Sequence, residues 1–227
     1  VAFPTVESRT ESTNLSNPTN HTINMPDTVN ADELLIIVIA IAGAVMPQEP
    51  TGWTDVSSGL RYGVFAKKAD GSEDGGTVTV TTESGINSCA QTIRISGWSG
   101  DISDVEVGSI GSGLTTTPDP GSVTATWGSD DNLFIAFTCA ENDDEEVTAA
   151  PTNYTNLLST IIDGPANEGG SVGTAYRELA SDTDDPGTFT LSGSELANAG
   201  TIVIRPAAAG GVTIPVFLHH YKMAGGL

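Results

Sequence analysis

The stretch Asp32-Glu33-Leu34-Leu35-Ile36-Ile37-Val38 is answered later in the chain by Asp131-Asn132-Leu133-Phe134-Ile135-Ala136-Phe137. In each case a polar pair opens an apolar run rich in Ile, Val and Phe, the composition of a buried strand. The longest apolar run, Leu34–Met46, falls short of the ~18–20 residues that a membrane-spanning helix requires. Both stretches are therefore read as core strands, and their similarity points to an internal repeat.

Four further matches follow in the same order. Pro50-Thr51-Gly52-Trp53-Thr54-Asp55-Val56 is echoed by Pro151-Thr152-Asn153-Tyr154-Thr155-Asn156-Leu157, and Phe65–Asp70 by Tyr176–Ser181. Gly76-Thr77-Val78-Thr79-Val80 is echoed by Gly187-Thr188-Phe189-Thr190-Leu191, and Thr92–Ser96 by Thr201–Arg205. Two halves, 32–97 and 131–206, thus carry the same series of strands. Gly, Pro, Asp and Asn punctuate between the strand signals, and only Ser192–Ala199 has a pattern compatible with a turn or two of helix.

These observations predict an all-β protein. The expected architecture is a jelly-roll β-sandwich of two antiparallel sheets, in which the duplicated halves interleave as facing sheets built from two Greek keys. Two independent small sandwiches are the weaker alternative, because each half shows only about four good strands, few for a sandwich of its own. Residues 1–30 read as an extended N-terminal arm feeding a first strand, 31–206 as the sandwich, and 98–122 as the connection between halves. Residues 207–227 read as a C-terminal docking segment or a last strand.

The charge balance excludes several partners. Lys and Arg number 8 against 29 Asp and Glu, a net charge of −21. Nucleic acids and anionic membrane surfaces are held by clustered basic residues, and the longest basic cluster here is Lys67-Lys68. With 38% hydrophobic and 16% charged residues and 26 Gly, the composition is neither that of a disordered chain nor that of a helical one. The first ten residues show no basic and no apolar leader segment, so no secretory signal is expected. Cys89 and Cys139 each stand in an apolar run and read as two buried, reduced thiols.

No catalytic constellation is legible. His21, His219 and His220 lack the neighbours that make a metal-ligand or triad spacing, no G-x-S-x-G occurs, and Gly108–Gly113 carries no phosphate-loop Lys. Acidic pairs abound at Asp70/Glu73/Asp74, Asp130/Asp131, Asp143–Glu146 and Asp182/Asp184/Asp185. They read as solvated loop carboxylates, whereas a general acid needs a desolvated pocket. Calcium is the one ion whose hard oxygen ligands crowd in these loops, but without the full spacing of a calcium loop no metal site and no cofactor is assigned. Trp53 reads as core because Tyr154 takes its place in the second half. Trp98, between Gly97 and Ser99-Gly100, is the least core-like of the three tryptophans and hence the candidate for a glycan-stacking platform.

The segment Val212–Leu227 differs from everything before it. It contains no acid and clusters Ile214, Val216, Phe217, Tyr221 and Met223 with His219 and His220. On so acidic a chain these residues form a distinct chemical surface, read as a docking peptide that adds a strand to a partner or a second copy; the plainer reading is a last strand at the sandwich edge.

The series Asn17–Pro26, Ala31–Ile36, Gly52-Trp53-Thr54, Ala66–Glu73 and Pro186–Thr190 resembles a jelly-roll domain common among virion surface proteins of tailed bacteriophages. The resemblance spans about residues 1–206. It implies a non-enzymatic role on the virion surface, as a capsid decoration protein contacting the major capsid protein and forming a homo-oligomer. The alternative that it implies is a tail-associated or head-fibre module that binds carbohydrate or a receptor.

Overall fold

The computed structural model describes residues 2–141, 145–162 and 168–209. Among these the chain is all-β, apart from one three-residue 3-10 turn at Ile102–Asp104. The first half supplies β1 (Thr5–Asn14), β2 (Asn20–Asn24), β3 (Leu34–Ile41), β4 (Pro47–Gln48), β5 (Thr54–Gly59), β6 (Tyr62–Lys68), β7 (Thr77–Thr82) and β8 (Ser88–Ser96). The second supplies β9 (Val105–Val107), β10 (Gly111–Thr115), β11 (Val123–Thr124), β12 (Asp130–Glu141), β13 (Val147–Ala149), β14 (Thr155–Ile162), β15 (Gly170–Ser181), β16 (Thr183–Asp184), β17 (Thr190–Leu191) and β18 (Glu195–Ile204).

Strands of the two halves do not mix within a sheet. The first half forms a five-stranded sheet, β1-β8-β3-β6-β5, and a three-stranded sheet, β2-β7-β4. The second forms the order β10-β18-β12-β15-β14, with β9 also on β18, and two small sheets, β11-β16 and β13-β17. The large sheets therefore repeat one order, with β1, β8, β3, β6 and β5 corresponding to β10, β18, β12, β15 and β14. The small sheets match as well, β2-β7-β4 having been divided into β11-β16 and β17-β13. The internal duplication is visible in this order, and the halves meet as facing sheets, but they exchange no strands: each forms its own large sheet and its own small outer sheets.

The core explains the arrangement. Strand β3 is buried along its whole length; successive side chains of a strand point to opposite faces, so this one must be covered twice. Leu34, Ile36, Val38 and Ala40 meet Leu133, Ile135, Phe137 and Cys139 of β12 in a central core shared by the two large sheets. Leu35, Ile37, Ile39 and Ile41 point the other way, onto Ile23, Met25, Trp53 and Val80. Phe134, Ala136 and Ala140 of β12 likewise face outward onto Val147, Tyr154, Phe189 and Leu191. Four layers result, with the large sheets inside. Each fully buried Ile, Leu or Phe contributes about 2 kcal/mol, and no half covers its central strand alone.

The extended N-terminal arm is taken up into the sheets: β1 pairs with β8 from Thr5↔Ser96 to Asn14↔Ser88, and β2 pairs with β7. The connecting segment carries β9 and β10, both on β18. Residues 195–199 are strand, not helix: a chain pairing on both sides with β10 and β12 overrides a weak local preference. The match of Phe65 to Tyr176 is one residue out of register. Ile36 pairs with Ala66 and Ile135 with Tyr176, so Phe65 corresponds to Ala175, and a slip of one residue exchanges the two faces of a strand.

Two glycines lie where a short outer strand rests on a large sheet. Gly63 and Gly173 occupy equivalent positions, opposite Ile39 and Thr138. A Cβ on Gly63 would lie 2.8 Å from Pro47 of β4, and one on Gly173 would lie 2.8 Å from Val147 of β13. The short outer strands can rest on the large sheets only over a residue without a side chain.

Candidate functional site

The residues singled out for a site have varied fates. Trp98 is only 5% exposed and belongs to the central core, with Nε1 donating to Asp32 O at 2.8 Å. Its ring is covered, so it offers no stacking platform, which corrects the expectation for that residue; the flanking glycines turn the chain around a buried anchor. Trp53 and Tyr154 are buried as expected. Each follows the same tight turn, in which its own N–H donates to Pro50 O or Pro151 O at 3.1 Å. Gly52 and Asn153, the third residue of each turn, both have positive φ, 81° and 69°, the conformation that favours Gly and Asn. Ile214, Val216, Phe217, His219, His220, Tyr221 and Met223 lie outside the described residues, as do Asp143 and Asp144.

The acidic loops are tied into structure. Glu73 receives Lys67 Nζ at 2.7 Å and the Gly71 N–H at 3.0 Å, while Asp70 accepts from the Ser72 N–H at 2.9 Å. In the second half Tyr154 donates to Asp184 Oδ2 at 2.5 Å, and Arg177 Nη1 stands 3.3 Å from Asp184 Oδ1. Lys67 and Arg177 are equivalent by register, so each half joins its turn aromatic, a cation and a carboxylate at the same place. Burial and the Asp184 contact push the Tyr154 hydroxyl well above its ordinary proton affinity. Among the described residues no group of three or more His, Cys, Asp or Glu side chains is placed to hold a metal ion.

Buried titratable groups are similarly committed. His21 is fully buried, with Nε2 3.0 Å from Thr82 Oγ1 and Nδ1 2.7 Å from Ser88 Oγ. Thr82 directs its own proton to Ser84 O, so it accepts from Nε2–H, and Ser88 donates to Nδ1. Burial lowers the His21 pKa to about 4, leaving a neutral ring. The Cys89 and Cys139 thiols are unpaired and buried. They reach across the seam to Gly170 O and Ile39 O, at 3.6 and 3.5 Å, and burial pushes both upward in pKa.

The seam between the halves holds a cleft that combines residues of both halves with an aromatic ring. Strand β1 is an edge of the five-stranded sheet and β14 an edge of the six-stranded sheet, and the two border adjoining hollows of about 490 and 320 Å3. Val6, Asn156 and Tyr176 line both hollows. Arg9 clamps the two walls: Nη1 donates to Thr174 O and to Thr174 Oγ1, each at 3.1 Å, and Nη2 donates to Asn156 O. Its guanidinium carbon stands 5.5 Å from the centroid of the Tyr176 ring, within the range of a cation–π contact. Asn156 Nδ2 donates to Tyr176 Oη at 2.9 Å.

Sequence reasoning missed this cleft because its parts are far apart in the chain. Asn156 carries the only local signal: it stands in the repeat where the first half has Asp55. It adopts a positive φ of 55°, at a register shift between Thr155 and Leu158. Asp55 is not among the residues with positive φ and still pairs with Phe65, the register shift of its strand falling between Asp55 and Ser57. The bulge frees Asn156 from the ladder and turns its amide toward the cleft. No protein-family model, curated protein or solved structure matches the chain.

Proposed function

We propose that the protein is a non-enzymatic structural component of the virion surface of a tailed bacteriophage, a capsid decoration protein assembled on the major capsid protein. The observation that carries this reading is the use made of its reactive side chains. Arg94–Glu33, Lys67–Glu73, Arg177–Asp184 and Arg205–Asp104 ion pairs and the buried His21 all serve as ties within or between layers. A stoichiometric building block needs a rigid body more than a desolvated acid. The net charge of −21 suits solubility of a protein displayed in many copies, and the resemblance of residues 1–206 to phage jelly-roll domains points the same way.

The same reading assigns each half a jelly roll of its own. The alternation of strands between the sheets β1-β8-β3-β6-β5 and β2-β7-β4 supports it, because interlocked Greek keys alternate their strands between two sheets, and the large sheet of the second half repeats the order. The segment 212–227 supplies attachment or the homo-oligomer contact.

The test is the copy number of this chain per purified particle, measured by gel densitometry against the major capsid protein. Hundreds of copies are expected. A few to a few dozen would place the protein at the tail or a head fibre instead, and absence would overturn the virion reading. Deletion of residues 212–227 is expected to abolish particle binding and leave a soluble, folded body.

A further inference from the structure

We propose that the cleft between β1 and β14 binds a neutral saccharide. Each of its two hollows has a size in the range of small-ligand sites. Its lining is that of a sugar site: the carboxamides of Asn153 and Asn156, the hydroxyls of Thr5 and Thr155, and the Tyr176 side chain. Amides and hydroxyls exchange paired hydrogen bonds with sugar hydroxyls, and the Tyr176 ring, which Arg9 caps on one face, adds apolar wall to both hollows.

Charge selects against anions. Arg9 is held by Thr174 and Asn156, and Arg177 by Asp184. Glu7 and Glu178 stand on the opposite walls, on a chain of net charge −21. An acidic sugar would meet carboxylates and no uncommitted cation of the lining.

An extended peptide is the other ligand that a pair of edge strands invites. Both edges are interrupted here. The register shifts between Val6 and Ser8 on β1 and between Thr155 and Leu158 on β14, and a bulge in an edge strand blocks continuous strand addition. The cleft is also preorganised, because Arg9 already ties its walls together and Asn156 is already rotated out of the ladder. Little ordering remains to be done when a ligand enters.

The experiment uses the full chain on an array of neutral, sialylated and sulfated glycans, followed by titration calorimetry with the best neutral binder. The double variant Asn153→Gly and Asn156→Gly removes both carboxamides while glycine retains the left-handed backbone, so the fold is preserved, as thermal unfolding will verify. Binding of at least one neutral glycan by the unaltered chain is expected, with a loss of tenfold or more in the double variant at an unchanged melting temperature. The proposal is overturned if no neutral glycan binds, if only acidic glycans bind, or if the folded double variant binds as tightly as the unaltered chain.

Discussion

Thr174 donates its hydroxyl proton to Gln91 Oε1 at 2.5 Å across the seam between the two halves, with both residues fully buried. The Gln91 amide in turn reaches Leu158 O at 3.1 Å, Thr160 Oγ1 at 3.0 Å and Val172 O at 3.1 Å. Thr160 donates onward to Glu11 Oε1 at 2.7 Å. One side chain of β8 thus joins β14 and β15 of the other half in a low-dielectric site, where an unmatched polar group is costly. This polar seam fixes how the two halves dock, since apolar faces alone tolerate sliding.

Gln91→Ala strips partners from Thr160 and Thr174 and opens a cavity. A loss of about 3–5 kcal/mol is expected in urea unfolding. Because the halves share the central core, the parent unfolds in one transition; two separated transitions in the parent would show that the seam does not couple them.

The equivalent glycines make a matched pair of variants. Gly63→Ala forces a methyl toward Pro47 and Phe65, and Gly173→Ala forces one onto Val147. Overpacking of this kind costs about 1–3 kcal/mol. Both variants are expected to lower the melting temperature. Gly113→Ala, where nothing stands within 4 Å of the added methyl, serves as the neutral control.

His21 makes stability depend on pH in a predictable direction. Its pKa is about 4 in the folded chain against an ordinary 6.5. Between those values the unfolded state binds the additional proton, so stability is complete above about pH 6.5 and falls as pH drops toward 4. The full loss is roughly 3 kcal/mol, since one pKa unit is ~1.4 kcal/mol. Unfolding free energies measured from pH 7 to 4.5 should show this slope, and His21→Gln should flatten it. An unchanged slope in that variant would assign the titration to another group.

Glu33 acts in the same sense but at lower pH. Burial raises its pKa, but hydrogen bonds from Arg94 and Asn30 outweigh burial and hold it below the ordinary carboxylate value. Its contribution is present above about pH 4.5 and is lost as pH falls through the lower folded value. Arg94 grips Glu33 at 2.7 and 3.1 Å. Glu33→Gln removes this attraction and is expected to cost about 2 kcal/mol at pH 7 while removing the corresponding acid-side loss.

The sequence by itself determined the strand-rich class, the two apolar central strands and the duplication, because these are written in local patterns. Leu34–Val38 and Leu133–Phe137 are each buried by their own composition whatever covers them, and Trp53 and Tyr154 are core for the same reason. Only the tertiary structure decided that each half forms its own sheets, that Phe65 corresponds to Ala175, and that Trp98 is buried. Those outcomes depend on register and on which face meets which layer, and a period of two leaves that choice to long-range pairing. The equal spacing from Gly63 to Lys67 and from Gly173 to Arg177 held the correct register, but its meaning rests on how closely β4 and β13 approach. The cleft at Arg9, Asn156 and Tyr176 lay beyond local reading altogether. It exists because two sheet edges, distant in the chain, come to the same side of the molecule when the apolar faces of β3 and β12 bury each other.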